Sequence, residues 1–291
     1  MLSKQKSVSN DSAYKRFSEE MKLRHFTPST ARTYGFVISA FLKAVKKPAS
    51  QICSEDVRLY LLASIDRKLS WSSINQQVCA LRIFAEVSLG FQCSAITLPP
   101  RKSEKKVVSV LSKEDVLKIL NAADPGLAQT LLLFMYATGA RGFEAVKLHV
   151  SDIESSRMVV RINKGKGRKD RLVPLSPLLL DKLREYYKAF RPGPWLFPCK
   201  ETTTHIDVSQ MRILWNKAKQ RAGVKAAGVH SLRHAFATNL LEQGVDLYSL
   251  QQILGHTNIQ STARYLRMTN SISLAVGGKI DSILKNLHNT G

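Results

Sequence analysis

The stretch His230–Tyr265, HSLRHAFATNLLEQGVDLYSLQQILGHTNIQSTARY, decides how this chain is read. It opens on HSLRH (His230–His234), carries LGH ending at His256, and closes on Tyr265. On a helix, residues three and four apart share a face. His230, Arg233 and His234 therefore point the same way at a helix start, where backbone N–H groups favour anions. That is a phosphate-binding constellation. The i, i+4 histidine pair also fits a zinc half-site with His256 as third ligand. Against that reading, Arg233 lies between the pair and repels a cation, and no H-E-x-x-H glutamate is present. A third reading keeps the histidines structural, with His234 packed behind Arg233 and orienting it.

Upstream, Arg141 stands in ATGARGFEAVKL, after an apolar helix and a turn at Gly139. An arginine against such a wall needs an anionic partner, because an unpaired buried charge is costly. Glu144 either simply pairs with it, or orients the guanidinium while its fork takes two phosphate oxygens. Tyr265 in STARYLRM is either a reactive phenol or the half-buried tyrosine of an amphipathic helix. Arg264 and Arg267 flank it, which suits a place close to a polyanion.

The whole chain supports an anionic partner. Its 291 residues carry 44 Lys+Arg against 22 Asp+Glu, a net charge of +22. Charge of that size and sign points to nucleic acid. The four cysteines, Cys53, Cys79, Cys93 and Cys199, lack metal-finger or CxxC spacing and read as reduced thiols of a cytosolic protein. The N-terminus MLSKQKSVSNDS is polar, with no apolar signal region. No apolar run approaches the roughly 20 residues of a membrane span.

Periodicity predicts a mainly α chain with a small β-hairpin in its C-terminal domain (α+β). Residues 1–98 read as a domain of four helices. Tyr14, Phe17 and Met21 mark the first; Pro28 and Ser29 open the second, with Tyr34, Val37, Ile38, Phe41 and Leu42 on one face. Ser54 reads as the N-cap of the third, followed by Leu59, Leu62 and Ile65. Ile74, Val78, Leu81, Phe84 and Ala85 mark the fourth. LPPRKSEKK then gives a basic linker over 99–106, either lying along DNA or solvated. The second domain spans 107–291. Ser112 and Asp115 form a capping-box-like start to a helix through Leu120, and Leu127–Tyr136 is a buried helix. Strands are expected at 157–162 and 171–175, around the turn NKGKGRKD, where Gly165 and Gly167 make positive φ cheap. Helices follow at about 177–190, 208–222, 231–243 and 246–254. In the tail, Ile280, Ile283, Leu284 and Leu287 fall on one face of a short helix, about 279–289, behind Gly277 and Gly278. That face either caps its own domain or docks elsewhere.

Taken together, these motifs resemble the tyrosine recombinases of the phage-integrase and Xer type over nearly the whole length. The family signature is an Arg in a T-G-x-R turn, a Lys in a β-hairpin, H-x-x-R, L-G-H and a Tyr. Here these are Arg141, Lys166, His230 with Arg233, His256 and Tyr265, the tyrosine nine residues after His256. Gly142 and Phe143 stand where the family often has an aliphatic residue and a serine, which bears on how Arg141 is braced.

The resemblance implies a helical N-terminal clamp domain, a linker, and a catalytic domain that acts on double-stranded DNA. Arg141 and Arg233 would neutralise the scissile phosphate, and His256 would add a hydrogen bond. Tyr265 would attack phosphorus, with His230 accepting its proton. Lys166 would protonate the leaving 5′ oxygen, with Lys164 and Lys169 as neighbouring candidates. Glu144 and His234 would support the site. A 3′-phosphotyrosine keeps the bond energy, so rejoining needs neither ATP nor a metal, and no cofactor is expected. The resemblance also implies a homotetramer on a specific DNA site, a cytoplasmic location, nucleoid-associated when DNA-bound, and a tail helix that docks on a neighbouring subunit. Directionality factors and the target sequence stay open. A type IB topoisomerase and a non-catalytic DNA-binding accessory factor are the competing readings.

Overall fold

The computed structural model describes residues 9–92, 110–163, 170–199, 204–225 and 228–266. The linker 99–106, the turn lysines Lys164, Lys166 and Lys169, Cys93, Arg267 and the tail helix at about 279–289 lie outside them. The chain forms two compact units, Met1–Lys105 and Lys106–Gly291.

Among its described residues the first unit has four α-helices, three of them started by a hydroxyl side chain. In α1 (Asn10–Leu23) the Ser9 hydroxyl accepts from the Ser12 N–H, and in α2 (Pro28–Val45) Thr27 accepts from Thr30. α4 (Trp71–Phe84) starts at Ser70 and runs into a π turn, Ala85–Leu89. These side chains satisfy N–H groups that a first helical turn leaves unpaired. Phe17, Phe41 and Phe84 from three different helices are fully buried, and Phe84 meets the other two edge-on.

The third helix departs from expectation. α3 spans Ser54–Asp66, so Ser54 is inside it and Cys53 is the N-cap. The cap bond is made by Asp56, whose carboxylate accepts the Cys53 N–H at 3.0 Å. The buried stripe is Val57, Leu61 and Ser64, while Leu59, Leu62 and Ile65 are exposed. Leucines at 59, 61 and 62 cover two sides of this helix, so spacing alone cannot choose the inner one.

In the second unit, α5 (Lys113–Ala122) begins at Ser112, whose hydroxyl accepts the Asp115 N–H at 3.1 Å. α6 (Leu127–Thr138) runs through the core, with Leu131, Leu132, Phe134 and Met135 fully buried. After the short α7 (Gly142–Val146) come three strands, β1 (Ile153–Glu154), β2 (Val159–Ile162) and β3 (Arg171–Pro174), antiparallel in that order. Val160 pairs with Val173, and both face inward with Ile162. Two strands were expected; β1 has only two residues, too few to show alternation. α8 (Pro177–Phe190) and α9 (Val208–Arg221) follow, the latter with a reciprocal cap between Asp207 and Gln210. The last three helices of the described residues are α10 (His230–Glu242), α11 (Leu247–Leu254) and α12 (Gln260–Leu266). Among the described residues, no helix is long and apolar enough to cross a membrane.

Gly139 ends α6 at φ +61°, and a Cβ there would sit 2.5 Å from the Phe236 ring of α10. The glycine thus permits both the turn towards Arg141 and the close approach of α10. Gly90 is also left-handed, at φ +79°, but among the described residues no atom lies within reach of an added Cβ. Gly90→Ala should therefore cost only the left-handed backbone, about 1 kcal/mol. Gly139→Ala adds overpacking and should cost about 3 kcal/mol. Urea denaturation of the two variants checks the contrast; equal losses would remove the packing role of Gly139.

Candidate active site

Four segments of the second unit deliver the candidate residues. The turn after α6 carries Arg141. The first turn of α10 carries His230, Arg233 and His234. α11 ends at Gly255, at φ +62°, and the chain reverses into His256. α12 brings Tyr265.

Arg233 is almost completely buried, at 1% exposure. Its guanidinium donates to the Gly139 carbonyl just beyond α6, and at 2.7 Å to the Leu254 carbonyl at the end of α11. Two helix C-termini, each the negative end of a dipole, therefore hold one cation. Burial lowers its pKa to about 10, helped by repulsion from Arg141, which leaves it charged at neutral pH. It also donates to Nε2 of His256 at 2.9 Å. A guanidinium can only donate, so Nε2 accepts here, and a neutral ring carries its proton on Nδ1, which meets the Thr262 hydroxyl at 2.8 Å. Both nitrogens are engaged, which disposes of His256 as a third zinc ligand. Among the described residues, no three metal-ligating side chains converge.

Arg141 is braced by Glu144, as its position suggested. The carboxylate accepts the Arg141 backbone N–H at 2.8 Å and one guanidinium nitrogen at 2.9 Å. Arg171, which the sequence reading passed over, takes the other side: its two terminal nitrogens bond the same carboxylate at 3.0 and 2.8 Å. Four donors thus saturate two oxygens. Burial pushes the Glu144 carboxyl up, but Arg171 and then Arg141 outweigh it and hold the group at about 2. Two guanidinium groups so share a single carboxylate, and Arg233, within electrostatic reach of both, leaves an excess of positive charge that invites an anion. No local pattern marked Arg171, since it reads as the first residue of a strand. A cavity of about 570 Å³ opens beside Arg141 and His230 and is also lined by Arg212, Asn216 and Trp215. Among the described residues, the buried indole N–H of Trp215 has no partner.

Tyr265 is fully buried rather than half-buried, among Ala237, Leu241, Leu250 and Leu254. Its hydroxyl lies 3.0 Å from Nδ1 of His234, and its ring stacks on His256 at 6.4 Å. One reading had His234 orienting Arg233; its ring meets the phenol, while backbone carbonyls and His256 bond Arg233. His230 is exposed, with its ring 5.3 Å from that of His234. Arg141, His230, Arg233, His256 and Tyr265 thus belong to one neighbourhood, and Glu144 and His234 are bonded within it. Lys166 lies outside the described residues.

Comparison with known proteins gives matches over both units. The phage integrase family matches residues 109–271, and the phage integrase N-terminal SAM-like domain matches residues 14–92. The chain is 38% identical over 261 residues to integrase/recombinase y4qK of Sinorhizobium fredii, spanning 88% of this chain and 85% of that one. It is 30% identical over 249 residues to the tyrosine recombinase XerA of Thermococcus onnurineus, spanning 84% and 86%. In fold it resembles a lambda integrase tetramer bound to a Holliday junction, with a TM-score of 0.73 at 19% identity over 90% of this chain and 78% of that one.

The Glu144 cluster has a pH signature. Its carboxyl is held at about 2, below the ordinary 4.5. The ionised group therefore stabilises the fold fully above pH 4.5, and that contribution is lost as pH falls towards 2. The stability gap between the parent protein and Glu144→Gln should narrow by about 2 kcal/mol between pH 6 and pH 3. Urea titrations across that range check it; a gap independent of pH would show that the carboxylate is not held ionised.

Proposed function

Since the chain belongs to the phage integrase family, we propose that it is a site-specific DNA recombinase that cuts and rejoins double-stranded DNA through a 3′-phosphotyrosine on Tyr265. The observation that carries this reading is the company of the phenol: Tyr265 stacks on His256, and His256 is bonded to the buried Arg233. A phosphodiester resists attack largely through its own negative charge. Arg233 and Arg141, on a site with more guanidinium than carboxylate, neutralise the non-bridging oxygens as charge builds on them.

The remaining roles follow from the contacts. His234 holds the phenol in the DNA-free chain, and the buried hydroxyl has to leave it to reach phosphorus. His230, exposed beside His234, accepts the proton once the phenol has moved. Nε2 of His256 accepts from Arg233 in the free protein, so its bond to phosphate requires that Arg233 turn to the phosphate and that Nε2 carry a proton. Lys166 protonates the leaving 5′ oxygen. No cofactor enters this scheme.

Residues 1–98 act as a clamp on DNA, 99–106 as a basic linker and 107–291 as the catalytic domain. Four copies assemble on the recombination site, linked by the tail helix at about 279–289. The protein works in the cytoplasm, nucleoid-associated when bound to DNA.

The test is covalent trapping on nicked duplexes, followed by sequencing of the attached DNA ends. The parent protein should form an adduct that Tyr265→Phe abolishes with DNA binding intact. Adducts from Tyr265→Phe would remove it as nucleophile. Arg233→Gln should slow adduct formation by about 100-fold or more. Deleting residues 279–291 should weaken strand exchange more than DNA binding; equal loss of both would separate the tail from assembly.

A further inference from the structure

We propose that Arg171 is a positioning residue for strand cleavage, a strut that holds Arg141 and the turn carrying His256 in one frame. The inference rests on the recombinase reading above. Arg171 is the first residue of β3 and pairs with Ile162, the last of β2, where the chain enters and leaves the segment with Lys164, Lys166 and Lys169. From there its side chain reaches two other segments. The terminal nitrogens grip Glu144 at 3.0 and 2.8 Å, and Glu144 in turn holds Arg141. Nε donates to the Ile253 carbonyl at 2.8 Å, in the last turn of α11.

Consecutive carbonyls at that helix end are thus divided between two arginines, Ile253 to Arg171 and Leu254 to Arg233. Gly255 records the same contact from the other side. A Cβ there would lie 2.7 Å from Cδ of Arg171. The glycine of the LGH motif is therefore demanded twice, by its positive φ and by the passage of this side chain.

All three nitrogens of Arg171 meet protein acceptors, and its side chain is 9% exposed. It is placed to hold other groups rather than to touch phosphate. Its removal changes what Glu144 does. With half of its donors gone, the carboxylate competes for the rest of the Arg141 fork and draws it away from the substrate. A lysine would keep the charge but could not span Glu144 and Ile253 together.

Single-turnover cleavage of a nicked duplex by the full chain tests this, with binding read by fluorescence anisotropy and folding by thermal melting. Arg171→Lys should fold and bind DNA within about twofold of the parent, and cleave about 10- to 100-fold more slowly. A duplex with sulfur in place of the leaving 5′ oxygen needs no proton donor, and the defect should persist on it. Arg171→Lys combined with Glu144→Gln should be little slower than Glu144→Gln alone, because both break one bridge.

Cleavage within twofold of the parent would overturn the proposal. So would a defect that vanishes on the sulfur substrate, which would place Arg171 on the proton-donor arm, or a double variant slowed by the full product of the two single effects. Failure of both Arg171→Lys and the uncharged Arg171→Gln to fold would make the residue part of the core and overturn it as well. If the parent itself gives no adduct, the recombinase reading falls, a result separate from all of these.

Discussion

One carboxylate among three guanidinium groups governs the second unit. Glu144 is buried, and a buried carboxylate is tolerable only when its oxygens are fully engaged. Two arginines from opposite sides meet that need, and each is fixed in return. The balance stays positive, because Arg233 sits nearby and leans on backbone carbonyls instead of a second acid. Under the proposed function a phosphate would supply the counter-charge, so that what makes the empty site costly would make the occupied one favourable.

The secondary structure serves that imbalance through its ends. α6 and α11 direct their C-termini at Arg233, while α10 starts where His230, Arg233 and His234 are needed. Gly139 and Gly255, both left-handed, let the chain turn sharply at these ends and leave room for Phe236 and Arg171. The phenol alone is held back. It is buried against apolar residues of α10 and α11 and bonded to His234, so this fold keeps the Tyr265 hydroxyl away from water.

Much of the fold was legible because caps and apolar stripes are local signals. Ser112, Pro28 and the Ile74–Val78–Leu81–Phe84 stripe each contain their own evidence within a few residues. α3 was misread where leucines faced two sides, and β1 was missed because two residues have no period. The place of His234 was legible only as near Arg233; that its ring meets Tyr265 depends on how α12 lies against α10.

The sequence by itself determined which groups the protein has for its chemistry: the Arg, His and Tyr types at their spacings, the excess of basic charge, and the helix that starts at His230. Those properties are covalent or confined to a turn or two. Only the tertiary structure decided which atoms meet. Arg171 reaches Glu144 across 27 residues of chain, and Arg233 reaches Gly139 across 94. Contacts at such separations are set by the packing of whole helices and strands, and a strand's first arginine looks like any other until that packing is known.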